Sequence, residues 1–143
     1  MTTAEPLTRY LGKAERTLQS LLQTQLRAAG MTFPEWAVLT FLSGGPLTRQ
    51  QLTDAVVKGH VAGARDPADL IKAMVDRGLA EASGERLAMT AKGKEIFDPL
   101  RDSVMKITAE LEFAISEDDL AATKRTLQTI SERAARMLAI AEV

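Results

Sequence analysis

A mainly helical chain interrupted by one small β-hairpin is the fold class this sequence predicts, and three observations carry it. Helix-start signals recur at regular intervals. Apolar residues step by three and four over both ends of the chain. A short stretch, GLAEASGERLAMTAKGKEIF over 78–97, breaks the helical pattern once and then restarts it.

The first element is a long helix over 6–29, where Leu7, Leu11, Ala14, Leu18 and Leu21 form a stripe that Leu22 and Leu26 widen. Gly30 stops it. Thr32-Phe33-Pro34-Glu35 is a capping box: the threonine oxygen accepts from the amide three residues on and Glu35 reaches back, with Met31 and Trp36 as the apolar staple. It opens a helix over 32–43, which Ser43-Gly44-Gly45-Pro46 ends. Thr48-Arg49-Gln50-Gln51 repeats the box for a helix over 48–58, with Leu47 and Leu52 as staple. Asp66-Pro67, an aspartate cap before a proline at the first helical position, opens one over 66–77, and Gly78 closes it.

A strand over 79–82, a turn over 83–85 and a strand over 86–89 follow, and Thr90 caps the restarted helix over 90–115. Pro99 removes one backbone donor inside it, which predicts a bend near Glu95 to Pro99. Ser116-Glu117-Asp118-Asp119 starts the last helix, 117–140, with an acidic first turn suited to the positive end of the helix dipole. Two of the long helices carry further seams: Phe97, Leu100, Val104, Ile107, Leu111 and Ala114 in one, Leu120, Leu127, Ile130, Ala134, Met137 and Ala141 in the other.

A chain of 143 residues, 45% hydrophobic and 26% charged, fits one domain spanning 1–143 with a core of its own. Aromatics are only 4%, so Leu, Ala, Val and Met fill that core. With no cysteine and one histidine, disulfides, thiolate metal sites and a catalytic triad lose their parts. Gly59-x-x-x-Gly63 lacks the Lys-Ser/Thr ending of a phosphate loop. No cofactor, metal or catalytic residue is expected, and the chain reads as a non-enzyme. No apolar run approaches a membrane span, and the N-terminus lacks a signal-peptide pattern, so a cytoplasmic location is the expectation. Net charge is −1, spread as +1 over 1–47, +1 over 48–95 and −3 over 96–143, which is no basic patch.

Three short helices followed by a two-stranded hairpin make a winged helix-turn-helix. Its third helix is of a size to enter a major groove about 12 Å wide, and its hairpin is the wing. The seamed helices lie at the two ends of the sequence and flank this lobe. Periodicity does not separate packing within a chain from packing between chains; a monomeric bundle is one reading, and the placement of the seams favours a partner chain.

With these elements in register, the stretches GMTFPEWAVLTFLSGG, TRQQLTDAV, IKAMVDRGLAE and LAMTAKGKEIF resemble the MarR family of transcriptional regulators over nearly the whole chain. The most specific pieces are Met74-Val75-Asp76-Arg77-Gly78-Leu79 and Leu87-Ala88-Met89-Thr90-Ala91-Lys92-Gly93. The resemblance implies a homodimer that binds double-stranded DNA at a pseudo-palindromic operator, usually as a repressor, and that a small, often aromatic, effector releases. It implies a DNA-binding lobe over 32–97, with dimerisation helices over 6–29 and 100–143. Leu7, Leu11, Leu18, Leu127, Ile130 and Met137 are the expected dimer contacts. The recognition helix would be 66–77, burying Leu70, Ile71, Met74 and Val75 and exposing Ala68, Asp69, Lys72, Ala73 and Asp76. The expected DNA contacts are Arg65, Ala68, Asp69, Lys72, Ala73, Arg86 on the wing, and Arg49.

The segment 61–77 holds three basic and three acidic residues. Phosphate neutralisation dominates DNA affinity, so a neutral reading head keeps a second interpretation in play: a winged-helix module that binds another protein and has little DNA affinity.

Overall fold

The computed structural model describes residues 5–61 and 65–141. The chain divides into two compact units, Met1–Lys106 and Ile107–Val143. Among the described residues the elements run α1 (Leu7–Ala28), α2 (Phe33–Leu42), β1 (Leu47–Thr48), α3 (Arg49–Lys58), α4 (Pro67–Asp76), β2 (Ala80–Ser83), β3 (Arg86–Met89), α5 (Ala91–Glu112) and α6 (Glu117–Ala141). The fold is thus mainly α with a small β-wing and long terminal helices.

Each start marked in the sequence by a capping residue carries its cap, while α1 begins after Pro6 without one. Thr32 Oγ1 accepts from Glu35 N while Thr32 N donates to Glu35 Oε1 at 2.9 Å. Thr48 and Gln51 make the same reciprocal pair at 3.1 and 2.9 Å. Asp66 Oδ1 accepts from Ala68 N at 2.9 Å, Thr90 Oγ1 from Gly93 N at 3.0 Å, and Ser116 Oγ from Asp119 N at 3.1 Å.

Three helices stop in the same manner. A residue with positive φ follows the last turn, and the next amide reaches back five residues, as Met31 N does to Leu26 O, Val61 N to Val56 O and Leu79 N to Met74 O. Glycine supplies the left-handed residue at Gly30 and Gly78, but α3 uses His60, at φ 51°.

The sheet differs from the expected hairpin. It has three antiparallel strands in the order β1-β3-β2, with Leu47 opposite Leu87 and Thr48 opposite Arg86. Two residues are too few to show an alternating pattern, so β1 exists through its pairing rather than its sequence. The wing turn is a two-residue loop with positive φ only at its first central residue, Gly84. That is the II′ arrangement, whose twist matches its flanking strands.

The core of the first unit gathers the faces of its helices and sheet. Val38, Leu39, Leu52, Leu70, Met74 and Leu79 are fully buried, and Leu26, Val56, Ile71 and Leu87 nearly so. Trp36 packs against this cluster and stacks on Phe97, ring centroids 4.9 Å apart. Helix α5 continues through Pro99 as one element and ends at Glu112, three residues before the expected boundary, because Ala114 takes a left-handed φ of 65°. In the second unit, α6 buries none of its residues. Among the described residues, no helix is long and apolar enough to cross a membrane.

Candidate nucleic-acid interface

Helix α4 is amphipathic in the sense a reading helix requires. Leu70, Ile71 and Met74 are buried, while Ala68, Asp69, Lys72 and Asp76 are exposed. Two positions fall between these classes: Val75, expected buried, and Ala73, expected exposed, are both half-buried. They sit on the flanks of the buried stripe, where a helix surface turns from core to solvent.

The cations of the segment 61–77 are unequal. Lys72 lies 3.5 Å from Asp76 one turn along, both side chains mostly exposed, a pair worth about 0.3–0.5 kcal/mol. Arg77 is engaged within the protein although its side chain stays 44% exposed: its guanidinium pairs with Glu35 and donates to Gly30 O at 3.2 Å. Arg65, beside the Asp66 cap, is exposed and has no ion-pair partner among the described residues. Gly63, the second glycine of the Gly59-x-x-x-Gly63 spacing, lies outside the described residues.

The sheet brings two further cations together. Arg86 opens β3 opposite Thr48, and the next residue, Arg49, donates its amide to Glu85 O at 2.9 Å. Both arginines are exposed without an ion-pair partner among the described residues. The expected contacts therefore divide into an exposed set, Arg49, Arg65, Ala68, Asp69, Lys72 and Arg86, and the half-buried Ala73.

Sequence reasoning missed the Glu35–Arg77 pair. Glu35 is 6% exposed. Burial pushes its carboxyl up, but the Thr32 amide, the Arg77 guanidinium and the Thr32 hydroxyl all hydrogen-bond it, and the net shift is below the ordinary carboxylate value. One sequence signal could have found it. The helix FPEWAVLTFL is apolar on nearly every side, so a carboxylate within it needs a cation from elsewhere.

Of the residues expected at a dimer contact, Leu7 and Leu18 on α1 are each 48% exposed and Leu11 is half-buried. On α6, Met137 is 70% exposed, Leu127 is also exposed and Ile130 is half-buried. A separate cavity of about 320 Å³ opens between the end of α2, β3 and α5, walled by Leu42, Met89 and Phe97 and carrying Lys94, Asp98 and Arg101.

No family model matches the chain, and no curated protein does either. Solved structures do. CouR from Rhodococcus jostii RHA1, bound to p-coumaroyl-CoA, superposes with a TM-score of 0.71 at 16% identity, over 91% of this chain and 96% of that one. Bordetella bronchiseptica BpsR, whose DNA binding is regulated by 6-hydroxynicotinic acid, gives 0.69 at 17% identity over 91% and 97%. A MarR-family transcriptional regulator from Silicibacter pomeroyi gives 0.65 at 17% identity over 85% and 84%. By its element order, its three-stranded sheet and this likeness along nearly its whole length, the chain has the winged-helix fold of the MarR-type regulators.

Proposed function

We propose that this protein is a homodimeric, DNA-binding transcriptional regulator of MarR type, acting as a repressor by binding and not by catalysis. In this reading α4 enters the major groove with Ala68, Asp69, Lys72 and Ala73. Arg49, Arg65 and Arg86 hold phosphates, with Arg86 carried by the wing. The observation that carries the reading is α4 itself: a capped helix with a buried apolar back and an exposed face, followed directly by a wing that holds, beside Arg49, an arginine with no ion-pair partner among the described residues. The lobe over 32–97 would read DNA. The helices over 6–29 and 100–143 would pair two chains through Leu7, Leu11, Leu18, Leu127, Ile130 and Met137. Selection of bound duplexes from a random pool, at two salt concentrations, tests it. A palindromic consensus whose affinity falls steeply with salt is expected; a pool with no enrichment at low salt overturns it.

A small aromatic acid is the proposed effector. Support comes from the 6-hydroxynicotinic acid of BpsR and from the cavity of about 320 Å³, where Phe97 and Met89 offer an apolar wall and Lys94 and Arg101 flank Asp98. Titration of the DNA complex with hydroxylated aromatic acids should release the duplex.

The balanced charge of 61–77 favours a second reading, a winged-helix module that binds protein. It predicts that Lys72→Glu with Arg86→Glu leaves function intact. Loss of DNA binding in that variant eliminates it.

A further inference from the structure

The carboxyl end of α4 is gripped from two sides. Three successive carbonyls there take donors from the start of α5. Lys92 Nζ donates to Arg77 O at 2.9 Å, Thr90 Oγ1 to Gly78 O at 2.5 Å, and Thr90 N to Leu79 O at 3.1 Å. From the other side the Arg77 guanidinium holds the buried carboxylate of Glu35 and the Gly30 carbonyl, where α1 hands over to α2. Two cationic side chains thus gather at the negative end of the α4 dipole, where they stabilise the helix terminus. The approach is close enough that a methyl group on Gly93 would stand 2.4 Å from Leu79 O.

We propose that Arg77 and Lys92 are positioning residues: they fix the angle of α4 against the α1–α2 corner and the first turn of α5, and set DNA affinity without touching DNA. The inference rests on the DNA-reading assignment above. Its physical basis is leverage. Ten residues of helix span about 15 Å, so a tilt of about 10° at the clamped end moves the amino end by roughly 2.5 Å. Hydrogen bonds to base edges tolerate only a few tenths of an ångström around 2.9 Å. Arg77 also differs from Arg49, Arg65 and Arg86 in having its guanidinium engaged within the protein.

The test uses the full chain and a labelled duplex recovered by selection on the wild type. Lys92→Met should weaken binding about 3- to 30-fold at fixed salt, with the slope of log affinity against log salt unchanged, and Lys92→Arg should restore it. The double variant Glu35→Gln/Arg77→Met removes both charges together, so no buried carboxylate is left unpaired, and should behave alike while keeping its helical circular dichroism. A slope reduced by about one would mean a lost phosphate contact and would overturn the proposal, as would unchanged affinity in both variants. Hydrogen exchange on the free protein keeps the two ideas separable. The amides of 74–79 should exchange faster in Lys92→Met, and unchanged exchange sinks the clamp whatever the DNA result. A wild type that captures no duplex instead sinks the DNA-reading assignment, and with it the effect on affinity.

Discussion

The Met1–Lys106 unit closes a core of its own, although Leu7 and Leu18 of its α1 stay exposed, whereas α6 of the Ile107–Val143 unit closes none. In the first, Leu39, Leu52, Leu70 and Met74 have no exposed surface, and helices and sheet close over them. In the second, α6 buries nothing and leaves Leu127, Met137, Leu138 and Ile140 exposed, while Phe113 near the end of α5 is 83% exposed. The seams read in the sequence at the two ends have the same period, yet period says only that a stripe exists. What the contrast teaches is that the first unit carries its own core, whereas the stripe of α6 lies exposed; in the dimer proposed above, a second chain would cover it.

Leu39→Ala should give the largest effect, a loss of about 2–5 kcal/mol in urea unfolding, because it opens a cavity in a closed core. Met137→Ala should cost under about 0.5 kcal/mol at fixed protein concentration; an equal cost for the two would erase the contrast. Gly93→Ala should destabilise by roughly 1–3 kcal/mol, since its methyl group has no room beside Leu79 O. Met137→Glu with Ile140→Glu should weaken self-association in sedimentation at least about tenfold, a change of roughly 1.4 kcal/mol, and leave the far-ultraviolet spectrum of the lobe intact.

Acid sharpens the comparison from the other side. The folded-state value of Glu35 lies below its ordinary 4.5, so its stabilisation is complete above that value and is lost as pH falls through the lowered one. Stability of the wild type should therefore fall on acidification below about pH 4.5, and Glu35→Gln should flatten that dependence. One expected effect is a gain: His60→Gly relieves a left-handed residue and should add about 1 kcal/mol, read as a raised melting temperature.

Much of this fold was legible because its signals are local. Thr32 with Glu35 and Thr48 with Gln51 meet three residues apart, and Asp66-Pro67 marks a start by two adjacent residues. Gly30 and Gly78 mark ends because each sits at positive φ. The rest depends on distance along the chain. Arg77 meets Glu35 across 42 positions, so no window reveals which of the three cations of 61–77 is tied up within the protein. β1 has no signature apart from its partner β3. The half-burial of Val75 and Ala73 reflects where neighbouring elements stop, which helical spacing alone does not fix. Of the candidate site, residue types and their helix were readable, and the allocation of charges was not.

The order β1-β3-β2 places Arg86 on the central strand, hydrogen-bonded along both edges. A flap hinged on one side could lift alone; this one is stitched to the threshold of α3 as well. On the DNA-binding reading proposed above, a force that drags Arg86 along a duplex would carry Arg49 with it, so the two cations would engage and let go as a single grip.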